Sequence, residues 1–284
     1  MQVILSKKMI GYLGPEGSFT HQALNVYLSR ADLKESPSSF QTITQIVEAV
    51  NNGKIKSGMV PIENSIEGGV GETLDQLVRT SQKITINKEI IIPIEHCLIT
   101  KTKNLNQIKK VIAHTQALSQ CQAFLKRFMP EAELEPVTSN STGVKIVSES
   151  QNGNIAAIGP EMAADIYKVP IFEKGINDEK ENFTRFVLIG TETPRQTGKD
   201  KTTIAFGVPY DKPGTLVGVL NSFSKEKVNL SRIESRPSKK TLGEYIFFID
   251  LEAHREDVPL KRALSEVASE FSFYRWLGSY PRWH

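Results

Sequence analysis

The chain is divided by the sequence ENFTRFVLIG, residues 181–190. Its apolar second half predicts a buried strand, which would fix the backbone of Thr184 and Arg185 just ahead of it. The polar segment that follows, 191–201, contains Pro194 and Gly198 and is typical of a linker. We therefore predict that the stretch closes one domain just before another begins. Taken alone, a Thr-Arg pair between phenylalanines is more often an ordinary strand edge.

Composition indicates an ordinary globular protein with two domains. The chain has 284 residues, of which 39% are hydrophobic. Its formal net charge of +3 is the difference between 35 basic and 32 acidic residues, and no basic block or basic stripe is present, so we expect no nucleic-acid partner. There is no signal-like apolar region and no run near the ~20 apolar residues that a bilayer requires. We expect a cytoplasmic protein without membrane contact.

Cysteine and histidine usage predicts neither a disulfide scaffold nor a metal site. Cys97 and Cys121 are far apart and do not form a CxxC pair, so we expect both to be buried as small apolar residues. His114 is the one histidine with a site-like setting, at the start of a predicted helix. No second ligand lies at metal-binding spacing beside it. His96 is expected to be an ordinary core or surface residue.

Strand, polar turn and helix alternate at least five times before residue 181. The first unit is a strand at 9–13 and a helix at 19–28, for which Ser18 is a plausible N-cap. Such a helix start is either an anion site or a capped helix without a ligand. Another strand, 57–62, leads into Asn64 and Ser65 beside the glycine loop 68–71, which lacks dinucleotide-binding spacing.

The same unit recurs three more times in the following hundred residues. Predicted strands at 111–113, 135–138 and 155–158 each precede polar residues and a helix. The repetition predicts an α/β sandwich with parallel strands and right-handed crossovers, and several helix starts would converge on one cleft. The β-rich run 88–100, interrupted by Pro93, could carry the chain from one lobe to another.

A different order begins at Thr202. Strands at 202–208, 228–233, 245–251 and 271–276 alternate with helices that start near 214 and 257, and the segment 234–237 is expected to be a turn. This βαββαβ order predicts a small ferredoxin-like domain. Its exposed edge suits pairing with a second copy of the chain.

Seven short motifs together resemble one known family. They are GPEGSF (14–19), PIENS (61–65), GGV (68–70), HTQALSQC (114–121), TRF (184–186), ESRP (234–237) and LGSYP (277–281). The ordered set is similar to the monofunctional bacterial prephenate dehydratases that carry a C-terminal ACT domain. The resemblance implies a two-lobed catalytic domain like a type II periplasmic-binding protein, with the active site between the lobes. The boundaries that we expect are lobe 1 at about 1–88 and 175–192, lobe 2 at about 89–174, a linker at 193–201 and the ACT domain at 202–284.

The resemblance also implies the activity and its residues. The enzyme would be a carbon–oxygen lyase of phenylalanine biosynthesis that converts prephenate to phenylpyruvate, water and CO2 without a cofactor or a metal. Thr184 would be catalytic, acting at the leaving hydroxyl. Arg185 would either bind a substrate carboxylate or tie the lobes together through Glu63 or Glu181. The expected substrate-binding residues are Ser18, Phe19, Asn64, Ser65, Thr115, Gln116, Gln120, Ser141, Thr142, Arg185 and Phe186.

Regulation is the second implication of the resemblance. L-phenylalanine would bind between ACT domains paired in a homodimer or a dimer of dimers and inhibit the enzyme. The expected effector-binding residues are Gly214, Thr215, Leu216, Val217, Asn229, Leu230, Glu234, Ser235, Arg236 and Pro237. The chain departs from the family pattern at Ala113 and Thr115, where serine and proline are usual, and at Thr215, where alanine is usual.

Two other functions remain open from the sequence. A non-catalytic amino-acid sensor would keep the donors at the helix starts but would have no use for Thr184. An enzyme that prefers arogenate, which has an amino group in place of the keto oxygen, would need a carboxylate in the cleft for that ammonium. The sequence does not decide whether Glu63 is placed there.

Overall fold

A computed structural model describes residues 9–209 and 213–283. Residues 1–8, 210–212 and 284, which fall within the predicted catalytic and ACT domains, lie outside the described residues. The predicted fold class is confirmed: two α/β lobes are followed by a ferredoxin-like domain.

The first lobe is built from strand–helix units whose helices begin at capping side chains. Ser18 caps the first helix by accepting a hydrogen bond from the His21 N–H, and Thr42 caps the second in the same way through the Gln45 N–H. The elements are β1 (Met9–Leu13), α1 (Phe19–Arg30), β2 (Ser36–Phe40), α2 (Ile43–Asn51), β3 (Ser57–Asn64), β4 (Gly68–Gly69), α3 (Gly71–Arg79) and β5 (Thr85–Pro93).

The second lobe has its own five-stranded sheet, in the order β10-β6-β9-β7-β8. Both cysteines are buried in this lobe, as predicted. Its elements are β6 (Cys97–Thr100), β7 (Lys110–Ala113), α4 (Thr115–Gln120), α5 (Gln122–Phe128), β8 (Glu133–Pro136), α6 (Asn140–Glu149), β9 (Ile155–Gly159), α7 (Glu161–Tyr167) and β10 (Ile171–Glu173).

The chain then returns to the first lobe as β11 (Phe183–Gly190), which lies between β3 and β5. Its apolar half is buried, as predicted. The expectation of purely parallel strands is wrong for both sheets. Strand β11 is antiparallel to both neighbours because it enters the first sheet from the side of the second lobe, and β6 is antiparallel to β9 and β10.

Two short segments join the lobes. All of β5 pairs with β11, so the first crossing lies between Pro93 and Cys97, a few residues later than the predicted boundary at residue 88. Asn177 ties the two crossing segments together. Its Oδ1 accepts from the His96 N–H at 2.7 Å, and its Nδ2 donates to the Ile94 carbonyl at 3.0 Å.

The C-terminal domain is an antiparallel sheet in the order β13-β14-β12-β15 with two helices on one face. The predicted turn at 234–237 is wrong, because these residues continue strand β13 and pair with β14 up to Tyr245. The elements are β12 (Asp200–Gly207), α8 (Thr215–Lys225), β13 (Leu230–Pro237), β14 (Tyr245–Leu251), α9 (Val258–Val267) and β15 (Phe273–Pro281).

The open face of this C-terminal sheet packs on the first lobe. Phe248 and Tyr280 share one hydrophobic cluster with Ile86 and Val187 of the first sheet. At Gly278 a Cβ atom would lie 2.3 Å from the Ile86 carbonyl oxygen, so only glycine permits this close approach of β15 to β5. The two domains are therefore joined by a continuous core as well as by the linker.

Candidate active site

A cleft of about 450 Å3 lies between the two lobes. It is bordered by the ends of β1, β3 and β11 from the first lobe and by the starts of α4 and α6 from the second. The predicted substrate-binding and catalytic residues that line it are Ser18, Phe19, Asn64, Gln116, Gln120, Ser141, Thr184 and Phe186.

The Thr184 hydroxyl is fixed by the side-chain amide of Asn64. Asn64 Nδ2 donates to Thr184 Oγ1 at 2.9 Å, and Thr184 lies directly opposite Asn64 in the pairing of β11 with β3. Asn64 is itself held in place, since its Oδ1 accepts from the N–H groups of Ile66 and Glu67. Because Thr184 Oγ1 accepts this bond, its own O–H is left to donate toward a molecule in the cleft.

A line of buried amides extends this contact into the second lobe. Asn64 Nδ2 also donates to Asn182 Oδ1 at 2.8 Å, and Asn182 Nδ2 donates to Gln120 Oε1 at 3.0 Å. Gln120 Oε1 lies 3.2 Å from His96 Nε2, and Gln120 Nε2 donates to Glu67 Oε1 at 3.2 Å. The network therefore connects the catalytic candidate on β11 with a helix of the other lobe.

His96 and Ser141 line the cleft, and each has one polar side-chain atom without a hydrogen-bond partner in the described part of the chain. His96 Nδ1 and Ser141 Oγ are buried and have no hydrogen-bond partner among the described residues. Burial lowers the pKa of His96 to about 4, against a smaller opposing effect of its hydrogen bond with Gln120, so its ring is neutral near pH 7. The ring of Phe19 packs edge-on against it, with centroids 5.5 Å apart. Because Gln120 Oε1 can only accept, His96 Nε2 carries the ring proton and Nδ1 is an acceptor, whereas the Ser141 hydroxyl can donate.

Acidic but not basic side chains line the cleft. Glu67 and Glu72 border it, and no lysine or arginine does so among the described residues. Glu63 is not in the cleft, since its carboxylate lies 3.4 Å from Arg185 Nη1 and 3.5 Å from Arg232 Nε. Negatively charged groups of a substrate would therefore depend on neutral donors.

Some residues predicted to bind substrate do not border the cleft. The Ser65 hydroxyl accepts from the Phe183 N–H at 2.9 Å, and Thr142 Oγ1 lies 2.7 Å from Ser139 Oγ within the cap of α6. Thr115 is exposed at the start of α4. Ser18 does border the cleft, but its hydroxyl caps α1 and donates to the Leu13 carbonyl, so it supports the loop.

Arg185 is the largest correction to the predicted site. Its guanidinium is buried on the other face of β11, where it donates to Glu89 at 2.8 Å, to Tyr280 Oη at 2.7 Å and to Asp250. The expectation that Arg185 binds a substrate carboxylate is therefore wrong. The alternative expectation, that Arg185 ties the two lobes together, is correct in that its role is structural. The parts that it joins are different, since it links the first lobe to the C-terminal domain.

The sequence reasoning missed His96, Glu67 and Glu72, which line the cleft, and Asn182, which lies behind it in the buried amide network. Asn182 stands in the stretch that separates the domains, one position before the strand that carries Thr184. Its position two residues before Thr184 is the sequence feature that could have indicated a place near the cleft. His96 and Glu67 enter the cleft only because the lobes meet there.

The family model described as prephenate dehydratase matches residues 10–194, which include the cleft and all of its lining residues. The chain belongs to the prephenate dehydratase family. A second family model, the ACT domain, matches residues 202–269. No helix in the described ranges is long and apolar enough to cross a bilayer.

Known members of the prephenate dehydratase family match this chain along nearly its whole length. A prephenate dehydratase of Methanocaldococcus jannaschii is 39% identical over 96% of this chain and 98% of its own. A bifunctional chorismate mutase/prephenate dehydratase of Aquifex aeolicus is 38% identical over 98% of this chain and 75% of its own. The crystal structure of prephenate dehydratase from Arthrobacter aurescens, in complex with L-Phe, superposes with a TM-score of 0.87 at 34% identity, covering 96% of this chain and 90% of that one.

The predicted effector residues of the ACT domain fall into three places. Gly214, with φ +86°, precedes α8, and Thr215, Leu216 and Val217 form its first turn. Asn229 and Leu230 follow the other end of α8, where Asn229 Nδ2 donates to Glu252 at 3.0 Å. In β13, Ser235 and Pro237 are exposed on one face, whereas Glu234 and Arg236 face the catalytic domain.

The orientation of Glu234 and Arg236 contradicts their predicted role as direct effector ligands. Their side chains pack against Gly69 and Gly71 of the first lobe. Alternation along β13 is the physical reason, since neighbouring residues of a strand point to opposite faces.

Proposed function

We propose that this chain is a prephenate dehydratase that converts prephenate to phenylpyruvate, water and CO2, and that L-phenylalanine inhibits it through the ACT domain. The observation that carries the activity is the Thr184 hydroxyl, held by Asn64 in a cleft that no lysine or arginine lines among the described residues. A non-catalytic sensor would not need a hydroxyl fixed with its proton free to donate.

The reaction requires one proton at the leaving hydroxyl. The ring carboxylate leaves as CO2, and the electron pair of the broken C–C bond forms a ring double bond as the C–O bond breaks. The departing hydroxyl takes up a proton and leaves as water. Thr184 is too weak an acid to supply this proton alone, so it donates a hydrogen bond and relays a proton from solvent. A preorganised donor of this kind contributes on the order of 10² to 10³ in rate.

Neutral donors suit the decarboxylation. A salt bridge to the ring carboxylate would stabilise the charge that the reaction disperses, and so would favour the bound substrate over the transition state. Ser141 and the first N–H groups of α6 are the groups that would hold the carboxylates. Phe19 and Phe186 would exclude water from the reacting ring.

For the effector we propose a site that two copies of the chain complete. Gly214 and Asn229 lie at opposite ends of α8, whose 11 residues span about 16 Å, which is too far for one phenylalanine to contact both in one chain. A second ACT domain related by a two-fold axis would bring the start of one α8 to the end of the other. The L-Phe complex of the Arthrobacter aurescens relative supports this effector. A homodimer or a dimer of dimers would be the inhibited form.

A second candidate substrate is arogenate. Glu67 is a carboxylate in the cleft, hydrogen-bonded to Gln120, and it would pair with the ammonium group that arogenate carries where prephenate has a keto oxygen.

One experiment tests the function and its alternatives. The purified protein is incubated with prephenate or with arogenate, and the aromatic product is followed with and without L-phenylalanine. Buffer without protein gives the spontaneous rate. We expect phenylpyruvate from prephenate well above that rate and a lower rate with L-phenylalanine. Faster turnover of arogenate would reassign the substrate, and no product from either would favour the sensor.

A further inference from the structure

We propose that Glu234 and Arg236 are positioning residues: they brace segment 68–72 of the cleft wall from behind and transmit the state of the ACT domain to the substrate site. The inference rests on the proposed function, which supplies the substrate and the effector. It replaces the direct effector contact expected for these two side chains.

The two side chains occupy the space that side chains of the glycine loop would fill. A Cβ atom at Gly69 would lie 2.0–2.5 Å from the carboxylate atoms of Glu234. A Cβ atom at Gly71 would lie 2.4–2.6 Å from the guanidinium atoms of Arg236. Strand β13 is therefore in direct contact with the backbone of the loop, with no intervening side chain.

Ion pairs fix this contact to the first lobe. Arg236 Nε lies 3.0 Å and Nη2 3.3 Å from the two carboxylate oxygens of Asp75 in α3. Lys239 reaches the same carboxylate. Glu234 is held by Arg232, which in turn lies 3.5 Å from Glu63, the residue next to Asn64. The pair of Arg236 and Asp75 is largely shielded from water, with side-chain exposures of 25% and 17%, so solvent screens it less than a surface pair.

The other side of the same segment is the cleft. Gly68, Gly69, Val70 and Glu72 line it. Two bonds tie the segment to β3, whose last residue is Asn64: the Val70 N–H donates to the Ile62 carbonyl at 2.8 Å, and Thr73 Oγ1 donates to the Pro61 carbonyl at 2.6 Å. Only the backbone of segment 68–72 separates β13 from the substrate, so a displacement of β13 would move the cleft wall directly.

The opposite face of β13 carries Ser235 and Pro237, which are exposed. A ligand or a second ACT domain that binds on this face would shift the strand whose other face supports the glycine loop. The strand is thus the mechanical connection between effector and substrate.

The test compares Arg236→Gln with Lys261→Gln, a matched loss of one positive charge at an exposed position of α9 in the same domain. Equilibrium dialysis measures L-phenylalanine binding, and initial rates with prephenate measure KM, kcat and inhibition. For Arg236→Gln we expect L-phenylalanine affinity within about threefold of wild type, inhibition weakened by at least fivefold, and a raised KM with kcat within about twofold. Lys261→Gln should retain wild-type values throughout.

Three results would overturn the inference. Arg236→Gln could lose L-phenylalanine binding together with inhibition, which would make Arg236 an effector ligand, or it could keep full inhibition. Asp75→Asn breaks the same contact from the catalytic domain; it should also keep binding and lose inhibition, and it decides the matter if Arg236→Gln does not fold. A wild-type protein without dehydratase activity or without L-phenylalanine binding would remove the proposed function, and the inference with it.

Discussion

The side chains of Thr184 and Arg185, consecutive residues of β11, leave the strand on opposite faces and serve different domains. Thr184 Oγ1 accepts from Asn64 in the cleft, and Arg185 donates to Asp250 and Tyr280 of the ACT domain. One peptide unit therefore joins the Thr184 hydroxyl in the cleft to the interface with the ACT domain. A shift of the ACT domain at that interface could therefore change the orientation of Thr184.

Removing the Thr184 hydroxyl tests its assigned role. Thr184→Val should lower kcat by about 10² to 10³ while KM for prephenate stays within about threefold, because the lost donor acts on the leaving hydroxyl. The fold should survive, since Asn64 Nδ2 keeps Asn182 Oδ1 and the Phe183 carbonyl as acceptors. Thr184→Ser should recover part of the rate. Steady-state kinetics decide, and near-normal turnover by Thr184→Val would exclude the role.

The buried pair of Arg185 and Asp250 should be important for stability. Burial alone would raise the pKa of Asp250, which is 0% exposed, but Arg185 and Arg232 outweigh it and hold that pKa below its ordinary value. Asp250→Ala leaves the Arg185 charge short of one partner, so we expect a loss of about 3–5 kcal/mol in unfolding free energy by urea denaturation. Arg185→Met combined with Asp250→Leu should cost less than the two single changes added together. Strict additivity would show that the pair is not coupled.

The cleft carboxylate Glu67 should influence the choice of substrate. Glu67→Gln removes a negative charge that opposes the two carboxylates of prephenate and that would attract the ammonium of arogenate. We expect kcat/KM to rise severalfold for prephenate and to fall for arogenate, measured side by side on the same preparation. Glu63→Gln, a change outside the cleft, provides the comparison for loss of an acidic side chain. An unchanged substrate ratio in Glu67→Gln would mean that Glu67 does not contact the variable group.

His96 should make the fold sensitive to acid. Its pKa is about 4 in the folded protein and near 6.5 in an unfolded chain, so the unfolded chain binds the proton first as pH falls. Stability therefore decreases as pH falls through that window, by about 2.5 kcal/mol between pH 7 and pH 4.5. His96→Gln should lose this contribution, so its unfolding free energy should fall less over the same range. Gln116→Ala, a non-titrating change in the same cleft, should keep the wild-type slope; an equal slope for His96→Gln would contradict the assignment.

The order of strands and helices could be predicted because local periodicity determines it. An alternating pattern marks β12, a continuous apolar run at 245–249 marks β14, and Ser18 signals the start of α1. Strand β13 continues beyond its predicted end. The prediction stopped too early because the positions that face the first lobe are Arg232, Glu234 and Arg236. These face charges of another domain, so the apolar alternation that identifies a strand is missing.

The cleft could be predicted only where motif residues lie at strand ends. Arg185 has its partners 65 and 95 residues away, and nothing near it in sequence shows that they exist. His96 is brought to the cleft by a crossing segment, and its neutral state is a consequence of burial, which the sequence around it does not reveal. Local sequence patterns therefore do not predict the interactions between lobes and between domains, which complete the site.

The position of β11 between β3 and β5 also affects how the chain folds during its synthesis. Strands β3 and β5 do not pair with each other, because β11 occupies the place between them. During synthesis on the ribosome the first lobe therefore emerges with a gap in its sheet, which can close only after the whole second lobe has been translated. The strand that carries the Thr184 hydroxyl is among the last pieces of the catalytic domain to arrive, so a nascent chain stalled before it would have an incomplete cleft.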